Sequence, residues 1–136
     1  MRPFHYAFKV KNLDDTRHFY GNILGCKEGR STNTWVDFDF FGNQISAHLS
    51  NDFPELDFCG HVDKIEVPIP HFGAVLSMEQ FAVIEKKLKE LNFKFIVTPQ
   101  VRYAGKTGEQ STLFILDPSG NPLEFKAYKD ESEIYK

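Results

Sequence analysis

Three side chains of this chain, His5, His71 and Glu124, are of the types that hold a divalent metal, and each lies in a run of alternating apolar and polar residues. Successive strand side chains point to opposite faces, so each run divides into a core-facing set and an opposite set. In the first run Phe4, Tyr6, Phe8 and Val10 share one face, and His5, Ala7 and Lys9 the other. In the second, Phe72, Ala74 and Leu76 oppose His71, Gly73 and Val75. Ile45, Ala47 and Leu49 likewise oppose Gln44, Ser46 and His48, while Leu123, Phe125 and Ala127 oppose Glu124, Lys126 and Tyr128. The polar face therefore collects His5, His71, Glu124, Ser46 and His48, and the small residues Ala7 and Gly73 leave room on it for a ligand. Two neutral imidazoles and one carboxylate form a set that leaves positions open on Fe(II) for substrate and O2, or on Mn(II) or Zn(II) for oxygen ligands. The three residues form no local motif, so their joint action depends on the elements that bring the strands together.

Other residues on this face have two readings each. His48 reads as a proton-transfer or substrate-binding residue near the metal, or as a histidine at a strand rim. Tyr128 and Lys126 follow Glu124 and would steady an anionic substrate oxygen, Lys126 being also a natural solvated strand end. Trp35 alternates with Val36 and Phe38, which points it to the cavity side as a stacking surface or a packing residue. Arg30 and Arg102 read as anion contacts or as ordinary surface arginines. His18 and His61 read as solvated, and no serine stands in a nucleophile elbow.

The elements that must position these residues come from a repeat inside the chain. Asp39-Phe-Phe-Gly42-Asn43 and the strand after it recur as Asp117-Pro-Ser-Gly120-Asn121 and the strand after that, each a hairpin signal. Phe4-His5-Tyr6-Ala7-Phe8 recurs as Pro70-His71-Phe72-Gly73-Ala74, and each copy precedes a helix. The first helix starts after the N-cap Asn12, carries Leu13, Thr16, Phe19, Tyr20, Ile23 and Leu24 at helical spacing, and stops at Gly25. The second opens with the capping box Ser77-Met-Glu-Gln80, carries Phe81, Ile84, Leu88 and Leu91 on one face, and ends at Asn92. Strands are expected at 27–31, 34–41 and 43–49, and again at 93–98, 110–116 and 122–128. Each half is thus β-α-β-β-β, with a first module at about 3–50, a linker at 51–69, a second module at about 70–128 and a solvated charged tail at 129–136.

Composition narrows the function classes. A chain of 136 residues is one domain's worth, and a formal charge of −3 is of the wrong sign for a general nucleic-acid or anionic-membrane binder. The 14 phenylalanines suggest β-rich packing or an aromatic cavity. Their positions place Phe4, Phe8, Phe38, Phe40, Phe72 and Phe125 on the helix-covered face, which makes them packing residues. Cys26 and Cys59 form no CxxC pair, so two buried free thiols are expected and a cysteine metal site is not. Without an apolar leader or an apolar run of about 18 residues, the expected location is the cytoplasm, with no membrane partner.

Paired β-α-β-β-β modules, the helix end Phe19-Tyr20-Gly-Asn-Ile-Leu24-Gly25 and the sequence Asp117-Pro-Ser-Gly-Asn-Pro-Leu-Glu124-Phe125 resemble the vicinal oxygen chelate superfamily. It contains glyoxalase I, extradiol dioxygenases, fosfomycin-resistance transferases and bleomycin-binding proteins. The likeness spans residues 4 to 128. More narrowly, Phe4-His5, the 25–31 segment, Trp35 to Gly42, Pro70-His71-Phe72-Gly73 and Gly108-Glu-Gln110 resemble small predicted extradiol-type dioxygenases. The resemblance implies an α+β fold whose tandem modules form a curved, cup-like mixed sheet with helices outside. It implies metal ligands at His5, His71 and Glu124, with Ser46 at a fourth position where glyoxalase I-like enzymes carry a carboxylate. The activity implied is Fe(II)-assisted insertion of O2 into a small, catecholic substrate with vicinal oxygens, with a homodimer as the assembly; His48 and Tyr128, from their place on the polar face, are the expected catalytic residues. Alternatives are a Mn(II)-type thiol transferase or glyoxalase-like isomerase of the same fold, and a binder that sequesters a small molecule without a metal.

Overall fold

A computed structural model describes residues 1–136, which divide into two compact units: Met1–Glu55 with Asp117–Asn121, and Leu56–Leu116 with Pro122–Lys136. The chain is α+β as expected, with one four-stranded mixed sheet in each unit.

In the first unit the strands are β1 (His5–Val10), β2 (Lys27–Ser31), β3 (Trp35–Phe40) and β4 (Asn43–Leu49), ordered β1-β4-β3-β2. β1 runs parallel to β4, and the other neighbours are antiparallel. The alternation read from the sequence sets the faces, since Phe8, Val10, Val36, Phe38, Phe40, Ile45 and Ala47 are all buried. Phe4 and Leu49, assigned to the core face, stand at strand ends and are 68% and 41% exposed. The helix begins where expected: α1 is Leu13–Thr16, and the Asn12 side chain accepts from the Asp15 amide at 2.9 Å. It then widens into a π-helical stretch, Arg17–Ile23, closed by the Leu24 amide on the Phe19 carbonyl at 2.9 Å. The physical gain is burial of two consecutive aromatics, Phe19 and Tyr20, both at 0% exposure. Tyr20 packs against Phe8, Phe19 and Phe38 and donates its hydroxyl to Asp117 at 2.8 Å. The Asp117 carboxylate also accepts from the Ser119 and Asn121 amides and the Asn121 side chain, yet burial pushes its pKa up. Asn121 in turn donates to the Lys9 carbonyl, so this turn of the second repeat is tied to β1. Buried Cys26 behaves as an inert thiol pushed up to about 12 by burial and by the charge of Asp39, whereas Cys59 is exposed, contrary to expectation.

The second unit holds β7 (Phe72–Leu76), α2 (Met78–Glu90), β8 (Phe95–Arg102), β9 (Gln110–Leu116) and β10 (Pro122–Tyr128), with sheet order β7-β10-β9-β8. β7 is parallel to β10, mirroring β1 and β4. The capping box at Ser77 forms, and Phe81, Ile84 and Leu88 of α2 are buried. β8 extends past its expected end because it is an edge strand, where Pro99 is tolerated beside an irregularity between Val97 and Gln100. The expected linker 51–69 contains a hairpin, β5 (Gly60–Val62) with β6 (Ile65–Val67). The tail is also more than a solvated end, since a 3-10 turn at Glu131–Glu133 brings Glu133 to accept from the Gly108 amide at 2.6 Å. No helix is long and apolar enough to cross a membrane.

Candidate metal centre

On the polar face of the second sheet, β7 and β10 place Gly73 opposite Glu124. The strands approach so closely there that a Cβ at position 73 would run into the Glu124 carbonyl oxygen, so glycine is required by space alone. His71, just before β7, then meets the carboxylate, with Nε2 3.3 Å from Glu124 Oε1. Its Nδ1 lies 2.8 Å from the Pro68 carbonyl, which can only accept, so Nδ1 carries a proton, and Nε2 presents a lone pair to Glu124 only when the ring is neutral. The other Glu124 oxygen accepts from the Thr112 hydroxyl at 2.7 Å and lies 3.7 Å from the Lys126 ammonium. Phe114, registered across from Glu124 on β9, packs edge-on against the imidazole with ring centroids 4.8 Å apart.

Two lone pairs facing each other at this distance repel unless a cation lies between them. In the protein alone that cation is a proton: Glu124 holds His71 above its ordinary pKa, outweighing burial, which acts the other way. Burial pushes Glu124 up, but the bonds from His71 and Thr112 prevail and leave its pKa lowered. A divalent metal fits the same place. The donors are an imidazole and a carboxylate, and each has the outer hydrogen bond that commonly orients a ligand. Within either unit no third His, Cys, Asp or Glu side chain completes a metal group.

His5, in the first unit, is exposed on β1 opposite Gln44, and its Nδ1 lies 2.8 Å from the Gln44 side-chain oxygen. With the Gln44 oxygen in that place Nδ1 is the donor and Nε2 points away from the pair. Ser46, at the position matching Glu124, is 6% exposed and donates to Asp37 at 2.6 Å. His48 stands opposite Lys9, four residues along β1 from His5, or about 13 Å by strand rise. It lies against Trp35, with ring centroids 6.3 Å apart, on the face predicted for both.

A cleft of about 240 Å³ in the second unit is lined by His71, Gly73, Glu124, Lys126 and Tyr128. Lys126 is therefore a cleft residue rather than a solvated strand end. Arg102 pairs with Asp63 at 3.6 Å, so its charge is engaged within the protein, while Arg30 lines a separate cleft with Asp37, Asp39 and Gln44. Asp37, Thr112, Phe114 and the Pro68 carbonyl were not singled out from the sequence. The alternation in Trp35-Val-Asp37-Phe-Asp39-Phe did place Asp37 on the right face, but the others needed the strand register.

The family model for the glyoxalase, bleomycin resistance protein and dioxygenase superfamily matches residues 2–125. The chain belongs to this superfamily. A crystal structure of a superfamily member from Alicyclobacillus acidocaldarius, described as glyoxalase/bleomycin resistance protein/dioxygenase, is 33% identical, with 98% of this chain and 96% of that one covered and a TM-score of 0.78. The metallothiol transferase FosB of Lysinibacillus sphaericus is 24% identical over 97% of this chain and 87% of its own length. The fosfomycin resistance protein FosX of Listeria monocytogenes shares the fold, with a TM-score of 0.73 at 19% identity over 98% of both chains. Superfamily members are mostly metalloenzymes acting on small molecules, which agrees with a metal-compatible His71–Glu124 pair in this chain.

Proposed function

We propose that this protein is a divalent-metal-dependent enzyme acting on a small anionic substrate with neighbouring oxygens, and that His5, His71 and Glu124 hold the metal. The observation that supports this most is the matched treatment of the two imidazoles. Each sets Nδ1 against an oxygen and turns Nε2 away from it, and at His71 that second nitrogen faces a carboxylate. When bound, the metal would act as a Lewis acid that draws electron density from a substrate oxygen. Thr112 and the Pro68 carbonyl hold Glu124 and His71 in their ligating orientations. Lys126 offers positive charge to a substrate anion, and Tyr128 lines the same cleft within reach of its far end. His48 and Trp35, well along the strands from His5, would meet the periphery of a substrate rather than its reacting atoms.

Transfer of a thiol to a small anionic epoxide is the first reading, supported by the similarity to the metallothiol transferase FosB, with Lys126 as the cation that lines the cleft. Mn(II) is then the expected metal. The second reading, an Fe(II) dioxygenase taking a catecholic substrate, rests on the resemblance of Phe4-His5, Trp35 to Gly42 and Pro70-His71-Phe72-Gly73 to small extradiol-type dioxygenases. The test is metal analysis of anaerobically purified protein, followed by two assays. Mn(II)-loaded protein is expected to consume fosfomycin together with a low-molecular-weight thiol. Oxygen uptake by Fe(II)-loaded protein with catechols, without thiol transfer, would establish the second reading instead, and protein that takes up no divalent metal would sink both.

A further inference from the structure

The hairpin β5–β6 occupies what the sequence presents as a linker, and it is tied to the second unit at three points. At its tip Asp63, with φ of 54°, faces Arg102 Nε at 3.6 Å and accepts from Gln100 at 3.4 Å. That Nε is buried and makes no hydrogen bond, so Asp63 supplies its counter-charge. In the middle, Val62 and Val67 form a buried cluster with Val97 and Phe114, flanked by Ile96. At the base, the Ile69 amide closes on the Asp57 carbonyl at 2.9 Å, and the next carbonyl back, that of Pro68, takes the Nδ1 proton of His71. Two of these ties end on the same imidazole. Pro68 sets which nitrogen carries the proton, and Phe114, pressed by the hairpin valines, meets the ring edge-on.

We infer that the β5–β6 hairpin is a positioning element for the metal site, with Asp63 and Phe114 its positioning residues. They hold His71 in the single tautomer and ring orientation that aims Nε2 at Glu124. This rests on the proposed metal reading for its consequence in affinity, but not for its consequence in tautomer. Asp63→Gly is the sharpest probe. Glycine accepts a positive φ without strain, so the substitution removes the carboxylate while sparing the backbone. Phe114→Leu removes the aromatic edge and keeps an apolar filler.

Two measurements and a control on the full chain decide the matter. Titration with Mn(II) should show affinity weakened about tenfold in Asp63→Gly and in Phe114→Leu, the usual scale for outer-shell loss, with partial recovery in Asp63→Asn. Ser77→Ala, which removes the cap of α2 and should lower Tm by about 4 °C without touching His71, is the control and should bind as wild type. In metal-free protein, at a pH above the raised pKa of His71 where the ring is neutral, ¹⁵N spectra of the His71 ring should show one tautomer in wild type and a mixture in Asp63→Gly. Wild-type affinity and a single tautomer in both hairpin variants would overturn the inference, as would an equal loss of affinity in Ser77→Ala. If wild-type protein binds no metal, the functional proposal fails, and the ring spectra still decide whether the hairpin positions His71.

Discussion

The two modules repeat one plan, but only the second brings a histidine and a carboxylate together. At matched positions the first has Ala7 across from Ser46, and the second has Gly73 across from Glu124. Ser46 is occupied by Asp37, and its histidine neighbour two residues before Ala7 turns to Gln44. Glu124 is free to meet His71 because the histidine is held from outside the sheet by the hairpin. Strand pairing is thus the shared scaffold, and the chemical difference comes from two substitutions, Ala7 against Gly73 and Ser46 against Glu124, plus the hairpin between the modules. A fold repeat does not by itself make a site repeat.

The comparison breaks most sharply at Gly73. Gly73→Ala should force β7 away from β10 and cost about 3 kcal/mol, with loss of the His71–Glu124 contact, as read by chemical denaturation and metal binding. Wild-type stability would mean the close approach is not required. Glu124→Ala or His71→Ala should leave metal well below one per chain, and His5→Ala should do the same if the first module contributes its ligand.

Ser46→Glu asks whether the missing carboxylate is all that separates the modules. It buries a second acid beside Asp37 and should cost about 2 kcal/mol with no gain in metal binding. Added metal affinity would show that the first module was one residue from being a site.

A smaller effect is expected from pH in metal-free protein. His71 has its pKa raised above 6.5 in the fold, so its contribution is complete below that value and is lost as pH rises through the raised pKa. Glu124, lowered from 4.5, contributes above that value and loses its share as pH falls through the lowered pKa. Thermal stability should therefore decline on the alkaline side of the window between them, and Glu124→Gln should flatten the decline. Metal affinity should move oppositely, rising with pH as the competing proton leaves His71. The mildest test is Ala7→Gly, expected to cost about 0.5 to 1 kcal/mol from backbone entropy alone.

Period-two alternation made the sheets legible in the sequence, because burying one face leaves no freedom in which side a residue takes. It placed His71, Glu124, Lys126 and Tyr128 on one face before any pairing was known. What it could not supply was register: Phe114 and Thr112 become neighbours of the site only when β9 is laid beside β10. The hairpin escaped because its strands are three residues each, too short to show a period among prolines and glycine. The wide turn of the first helix escaped for another reason, since Phe19 and Tyr20 fit a helical stripe equally well until both must be buried.

The turn Asp117–Asn121 has a consequence for how the chain is made. Tyr20 sits at the centre of the first unit, and its hydroxyl partner lies 97 residues further along. As the chain leaves the ribosome, the first module therefore emerges without the acceptor for that phenol, and its core cannot close fully until Asp117 follows. Closure of the first unit is thus expected to be slow because the closing contact is distant in sequence, and sensitive to nascent-chain truncation just before Asp117.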